Sequence, residues 1–203
     1  MGVVTRAVTA ARADTDAEII ARMRTDPAAF AAVFDRYYPA IHGYASRRLG
    51  RDLADDVASE TFLVAFDRWR RYDLAHSSAR PWLFGIASNL IADHHRSEAR
   101  RYEALARAGS AGPDRGDQPA EDIVGGLDAR AVRGRLAVAL RDIAPADREV
   151  LLLVAWAELS CEETARALEI PAGTVRSRLH RARHRLQAAL GGTDPTKLRE
   201  DCP

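Results

Sequence analysis

Residues 159–186 read LSCEETARALEIPAGTVRSRLHRARHRL, and this stretch decides the fold of the C-terminal half of the chain. Ser160 with Glu163 three residues later is a capping box, which predicts the start of a helix. Pro171 and Gly173 predict a short turn, after which a second helix begins. A capped helix, a short turn and a second helix together predict a helix-turn-helix.

The second helix of this motif has an apolar face and a basic face. At ~100° per residue, Leu179, Ala182 and Leu186 fall within about 40° of Val175, which predicts a narrow buried stripe. Arginines and two histidines fill much of the rest of the helix, and no acidic residue stands among them. Because the arginine fork grips guanine edges or phosphates, this face predicts contact with DNA. The competing interpretation is a solvated face that is rich in arginine only because the genome is rich in GC.

The composition of the whole chain is ordinary. It has 203 residues, 47% hydrophobic and 29% charged, which is typical of a globular protein with one large domain or two small ones. The 30 basic and 29 acidic residues nearly cancel, so the basic helix acts through its local field. No apolar run approaches ~18 residues, so we expect no membrane insertion. The two cysteines, Cys161 and Cys202, are interpreted as reduced thiols of a soluble cytoplasmic protein.

The first half of the chain also has helical periodicity. Apolar residues recur three and four positions apart from Phe30 to Tyr44, and Gly50 is placed to end this helix. A second helix is predicted from Asp52 to Trp69, and Pro81 opens a third. No segment has the alternation that a half-buried strand requires, so the sequence predicts an all-α fold.

The composition changes between the two halves. Residues 108–126, AGSAGPDRGDQPAEDIVGG, are rich in glycine, proline, alanine and aspartate, and they are interpreted as a linker. Four acids against one arginine give this segment a formal charge of −3. The sequence therefore predicts two small helical domains joined by a flexible linker.

An acidic pattern lies on the second helix of the first domain. Asp55, Asp56 and Glu60 stand beside apolar residues in RDLADDVASETFLVAFDRW, residues 51–69. Paired carboxylates can carry acid–base chemistry or bind a metal, but no nucleophile or second ligand cluster lies near them. A solvated face or a protein-docking face is the favoured interpretation.

The third helix combines Trp82 and Asn89 with several arginines. Aromatic, amide and guanidinium groups together suit unpaired bases, which need stacking surfaces and edge hydrogen bonds. Trp82 is equally well explained as a core residue.

Asp93, His94 and His95 on the same helix raise the alternative of a metal-dependent phosphoesterase. In those enzymes such a triplet follows a strand, whereas here it lies in a helical stretch without ligand spacing to the other histidines. We therefore expect neither a metal site nor a cofactor.

Three segments in order, DDVASETFLVAF (55–66), RPWLFGIASNLIADHHRSEARR (80–101) and residues 159–186, resemble the ECF (extracytoplasmic function) sigma factors of bacteria. The resemblance covers residues 26–190. It implies an alternative sigma factor, which is not itself an enzyme but binds core RNA polymerase, directs it to promoters and helps to melt the duplex. The remaining alternative is a helix-turn-helix regulator that does not associate with polymerase.

The resemblance also implies a division of the chain. Its parts are an N-terminal extension, partly disordered or helical (1–25), sigma region 2 (26–101), a linker (102–128), sigma region 4 (129–191) and a C-terminal tail (192–203). The acidic linker is either a plain tether or a segment that enters the polymerase channels. The implied partners are core RNA polymerase, through its β′ clamp helices and β flap, and promoter DNA. An anti-sigma factor is a common further partner in the family.

Individual residues receive roles by the same resemblance. The candidates for the interface with the β′ clamp helices are Asp55, Asp56, Glu60, Phe62 and Leu63. Asn89 is the candidate reader of a flipped base of the −10 element. The candidate readers of the −35 element are Arg176, Ser177, His180 and Arg181. The candidate phosphate contacts are Arg96, Arg100, Arg101, Arg178, Arg183 and Arg185.

Overall fold

The computed structural model describes residues 14–107 and 127–189, with side chains over 14–100 and 135–189. All regular structure in these ranges is helical, which confirms the all-α prediction. We call the first four helices the first lobe: α1 (Asp16–Arg22), α2 (Ala31–Leu49), α3 (Arg51–Arg68) and α4 (Arg80–Arg107). The other four form the second lobe: α5 (Leu127–Asp142), α6 (Pro145–Trp156), α7 (Cys161–Leu168) and α8 (Ala172–Ala189). None of these helices is both long enough and apolar enough to cross a membrane.

The helix ends follow local sequence signals. Gly50 separates α2 from α3 and has a φ of 84°, a conformation that glycine adopts without strain. The capping box of Ser160 and Glu163 is present at the start of α7, with both reciprocal hydrogen bonds formed. Pro145 opens α6, where its missing N–H costs no helical hydrogen bond.

Helix α1 lies within residues 1–25, the stretch that the family resemblance assigned to an N-terminal extension, and it is part of the first lobe. A capping box of Thr15 and Glu18 starts α1, and Ile19 and Ile20 of this helix are buried in the core. Asp16 is 1% exposed and holds three parts of the lobe together. Its carboxylate accepts hydrogen bonds from Arg36, from the Tyr37 hydroxyl at 2.5 Å and from the backbone N–H of Ala79 at 2.7 Å.

The core of the second lobe matches the stripe expected on α8. Val175, Leu179, Ala182 and Leu186 are all buried, and they pack against residues of α5, α6 and α7. Cys161 at the first position of α7 is buried in this core. Cys202 and the residues around it lie outside the described ranges.

One of the two apolar clusters spans the contact between the lobes. Leu153, Ala157, Leu159 and Ala167 of the second lobe belong to the same buried cluster as the residues of α2, α3 and α4. Helix α4 passes so close to α7 that a Cβ at Gly85 would clash with the backbone carbonyl of Ala167. The sequence predicted two domains on a linker but did not predict this contact. Helix α4 also continues to Arg107, inside the stretch expected as linker.

Replacement of Asp16 by alanine is expected to destabilise the first lobe. The change leaves Arg36, Tyr37 and the Ala79 N–H without their buried acceptor, which costs about 2–4 kcal/mol of unfolding free energy. Urea denaturation followed by circular dichroism measures this loss. Asp14→Ala is the control, because Asp14 is half exposed and its ion pair with Arg22 is worth under about 1 kcal/mol. Equal losses for both variants would contradict the buried network.

Candidate nucleic-acid interface and partner surface

The basic face of α8 points away from the core of the second lobe. Arg176, Ser177, His180 and Arg181 are all exposed, as a DNA-reading face requires. The Ser177 hydroxyl donates to the Thr174 carbonyl one turn earlier at 3.0 Å, so its side chain lies close to the helix backbone. The four residues that the family resemblance assigns as −35 readers therefore all lie on the exposed side of α8.

Arg181 differs from its neighbours because an acid holds it. Its Nε donates to one oxygen of the Asp147 carboxylate at 2.9 Å and its Nη2 donates to the other at 2.8 Å. The Asp147 side chain is 10% exposed, whereas that of Arg181 is 55% exposed. The hydrogen bonds from Arg181 lower the pKa of Asp147 despite its burial, so the carboxylate is ionised at neutral pH.

The remaining arginines of α8 have mixed environments. Arg178 and Arg183 are half-buried, and Arg185 is exposed. Arg185 donates to the backbone carbonyl of Asp142 at 3.3 Å, which anchors α8 to the end of α5. These three residues flank the reading face and remain candidates for phosphate contacts.

An acidic and apolar face lies on α3 of the first lobe. Asp55, Asp56 and Glu60 are exposed, and the Leu63 side chain is 69% exposed. Asp55 accepts a hydrogen bond from the Tyr38 hydroxyl at 3.3 Å, and His42 Nε2 lies 3.1 Å from the same carboxylate. A face of this mixed character is typical of a protein interface.

Phe62 does not lie on this face. It is 4% exposed, and its ring packs edge-on against Phe34 with a centroid distance of 4.9 Å. The prediction that Phe62 contacts a partner is therefore corrected: Phe62 supports the face from the core. The exposed apolar positions beside Leu63 are Phe66 and Phe34, which sequence reasoning did not select.

A groove of about 730 Å³ separates the two lobes beside their contact. Asn89 and Ser88 of α4 line one side, and Glu149 and Trp156 of α6 lie on the other. Asn89 is exposed and lines the groove, so its amide can reach a ligand there. The candidate reader of the −10 element therefore faces the second lobe.

One ion pair crosses the floor of the groove. Arg48 donates to both carboxylate oxygens of Glu149, at 3.1 Å and 2.8 Å, and the Tyr44 hydroxyl donates to the same carboxylate at 3.1 Å. The side chains of Arg48 and Glu149 are only 9% and 18% exposed. Three further hydrogen bonds between described residues link the lobes. Arg47 donates to the carbonyl of Trp156, Arg80 donates to that of Ala157, and Arg166 donates to His76 Nδ1 at 3.0 Å.

The ionised state of Glu149 favours the closed arrangement of the two lobes at neutral pH. Burial raises the pKa of this carboxyl, but the hydrogen bonds and charge of Arg48 outweigh burial and hold the pKa below its ordinary value. Because the folded pKa is depressed, the pairing stabilises the contact above the pKa of the unfolded carboxyl. That contribution is lost as the pH falls through the folded pKa.

The other candidate residues of α4 are spread along the helix. Arg96 donates to Asp93 at 2.5 Å, and Arg100 is exposed, while the side chain of Arg101 lies outside the described set. Trp82 is half-buried and packs against Tyr72 with a centroid distance of 5.2 Å, which supports its interpretation as a core residue.

The Asp93-His94-His95 triplet has no convergent geometry. Asp93 pairs with Arg96, and His94 lies 3.6 Å from Glu98. Within the described part of the chain, no three acidic, histidine or cysteine side chains come together as a metal site needs.

Family comparison accounts for both lobes. Residues 33–101 match the model of Sigma-70 region 2, and residues 129–186 match that of Sigma-70 region 4. The chain is 37% identical over 147 residues to the probable RNA polymerase sigma-C factor of Mycobacterium bovis, covering 71% of this chain and 72% of that relative. It is 32% identical over 170 residues to the ECF RNA polymerase sigma factor SigW of Bacillus subtilis, covering 81% and 90%.

The chain belongs to the ECF branch of the sigma-70 family. It is therefore an alternative sigma factor, which acts with core RNA polymerase in promoter recognition. The match to region 2 spans α3 and most of α2 and α4, so the alternative of a helix-turn-helix regulator that does not associate with polymerase is wrong.

Solved structures of sigma factors resemble this one in fold. The sigma factor aligns with CnrH, solved in complex with the cytosolic domain of CnrY, at a TM-score of 0.61 and 26% identity, covering 88% of this chain and 98% of that one. It aligns with RpoE of Bartonella quintana, solved with the anti-sigma factor NepR, at a TM-score of 0.58 and 26% identity, covering 80% and 96%.

The Glu149→Ala variant of the sigma factor is expected to open the contact between the lobes. Arg48 and Tyr44 lose their acceptor in a buried site, which weakens the contact by about 3 kcal/mol. Small-angle X-ray scattering should show a larger radius of gyration, while circular dichroism shows unchanged helicity. Glu162→Ala, an exposed acid on α7, is the control and should leave the radius unchanged. An unchanged radius for Glu149→Ala as well would contradict the role of this ion pair.

Proposed function

We propose that the two lobes of this sigma factor divide the work of promoter recognition among three surfaces. The face of α3 binds core polymerase, α4 holds the unpaired strand of the −10 element, and α8 reads the −35 duplex. The observation that carries this proposal is that one chain exposes an acidic and apolar face and a basic reading helix on separate lobes.

The polymerase surface consists of Asp55, Asp56, Glu60 and Leu63, with Phe66 added from the structure. Exposed leucine and phenylalanine side chains gain free energy when a partner removes them from water. The acids around them favour a basic partner surface and set the orientation of docking. By the family resemblance, that partner is the pair of clamp helices of the β′ subunit.

The −35 surface is the outer face of α8. Helix-turn-helix proteins place this second helix in the major groove, where side chains reach base edges. Arg176, Ser177, His180 and Arg181 are exposed on that face. Arg178, Arg183 and Arg185 contact the phosphates on either side of it.

The −10 surface is the side of α4 that lines the groove between the lobes. Asn89 supplies an amide that can pair with the edge of a flipped base, and this contact helps to offset the few kcal/mol of lost stacking. Arg96, Arg100 and Arg101 extend the same helix and bind the phosphates of the strand.

Simultaneous reading of both elements requires the lobes to part. The −10 and −35 elements lie about 25 base pairs apart, which is about 85 Å along straight B-form DNA. A compact chain of about 200 residues has a radius of gyration of about 16 Å and is roughly 40 Å across. The closed arrangement is therefore too short, and the Arg48–Glu149 contact has to break when the promoter is bound.

The remaining features of the proposal follow from this role. The protein acts in the cytoplasm, where the chromosome is, and it has no catalytic activity of its own. The structural neighbour RpoE was solved with the anti-sigma factor NepR. We extend this to the present chain and propose an anti-sigma factor as a further partner, which would compete with polymerase for the lobes.

Reversal of charge on α3 is expected to abolish polymerase binding. Asp56→Lys combined with Glu60→Lys places two cations against a partner surface selected for anions. Runoff transcription with purified core polymerase on genomic fragments should give promoter-specific products with the unchanged chain and none with this variant. The control is Asp142→Lys with Glu162→Lys, which changes the net charge equally at exposed positions of the second lobe. Promoter-specific products with the α3 variant would contradict the proposal that this face binds core polymerase.

Loss of Arg176 is expected to relax promoter choice at one base position. A base-edge contact of arginine is worth about 1–3 kcal/mol of discrimination. Electrophoretic mobility shifts of the polymerase complex on −35 point mutants measure this discrimination. Arg185→Ala should instead weaken binding to every sequence alike, because a phosphate contact carries no base information. Uniform weakening by Arg176→Ala would place that side chain on a phosphate as well.

A further inference from the structure

Among the described residues, Asp147 is the single carboxylate that accepts two hydrogen bonds from the basic face of α8. It lies in the first turn of α6, a helix whose Val150 and Leu151 are buried in the core of the second lobe. Its carboxylate has little freedom to move, because the residue as a whole is 7% exposed. Arg181 is thus tied to a fixed point of the lobe, although more than half of its side chain remains exposed.

The two bonds occupy only one edge of the guanidinium group. Arginine has five N–H donors in a planar fork, and Asp147 takes one from Nε and one from Nη2. Three donors remain on Nη1 and Nη2, at the end of the side chain opposite the carboxylate. That free end edge has the spacing needed to donate to O6 and N7 of one guanine.

We propose that Asp147 is a positioning residue that fixes Arg181 so that its end edge reads guanine in the −35 element. This inference rests on the proposed function of α8 and adds a residue that neither the family match nor the sequence selects. A free arginine has to lose rotamer freedom when it binds a base, whereas a buttressed one has lost that freedom on folding. The carboxylate also repels phosphates, so it favours a base edge as the target of this arginine.

A different role for Asp147 predicts a different result. If the carboxylate only neutralised charge on α8, its removal would strengthen binding to every DNA sequence by the same factor. If it positions Arg181, its removal weakens the preference at one base position and leaves the other positions unchanged. Base preference therefore separates the two roles, while total affinity does not.

The test uses polymerase holoenzyme formed with the full-length chain and a duplex library randomised over the −35 element. Transcribed templates are sequenced for the unchanged chain, Asp147→Asn, Arg181→Ala and the double variant. We expect Asp147→Asn to lower the preference for guanine at one position on the order of tenfold. Arg181→Ala should remove the same preference, and the double variant should match Arg181→Ala, since the two residues act as one unit.

The controls distinguish a failure of this inference from misfolding of the second lobe and from a failure of the proposed function. Asp142→Asn carries the same charge change at a largely exposed side chain and should keep the full preference. Thermal melting of each variant checks that the second lobe is folded. Arg181→Ala tests the same guanine preference while Asp147 is left intact. An Asp147→Asn profile identical to that of the unchanged chain, or a uniform gain on all templates, would overturn the inference. An unchanged chain with no base preference in the −35 element would overturn the proposed function itself.

Discussion

The structure depends on a buried ion pair between residues 101 positions apart in the chain. Arg48 and Glu149, with the Tyr44 hydroxyl, connect α2 of the first lobe to α6 of the second. A buried ion pair contributes little net stability, because desolvation offsets most of its Coulomb energy, but it strongly penalises loss of either partner. Its effect here is to specify one arrangement of the lobes. In that arrangement the groove side of α4 faces the second lobe, while the basic face of α8 stays exposed.

Charge is segregated in a way that suits two different macromolecules. The acids of α3 lie on the first lobe and the arginines of α8 on the second, so a chain of formal net charge +1 offers two fields of opposite sign. A protein partner and a DNA duplex can therefore be selected by separate surfaces. Within the basic surface, Asp147 is an exception that gives one arginine a fixed direction.

Much of the fold could be predicted from local sequence signals. Gly50, Pro145 and the Ser160 capping box each act within a few residues, so the ends of the helices near them were correctly expected. The stripe through Val175 follows from helical geometry alone. The family and its function were also recognisable, since three motifs in order carry the resemblance and the family matches confirm it.

The features that sequence reasoning missed have physical causes. Phe62 was assigned to the partner interface by the family resemblance, but it is buried on the face of α3 that Ala54, Ala58 and Ala65 line. A resemblance between motifs does not show which side of the helix this side chain faces. The short helix α1 was marked only by the capping box of Thr15 and Glu18, which sequence reasoning overlooked.

The pairings across the lobes had no local signal. Arg48 with Glu149 and Gly85 with Ala167 join distant parts of the chain, and no spacing rule relates them. Asp147 and Arg181 are 34 positions apart and could not be paired from the sequence either.

The separation of the lobes on a promoter is the most direct test of this account. Fluorescent labels at the exposed positions Asp35 and Gln187, one on each lobe, report this separation by energy transfer. The account predicts a short distance in the free protein and an increase on the order of 40 Å when core polymerase and promoter DNA are bound. A distance that is the same in the free protein and in the promoter complex would contradict it.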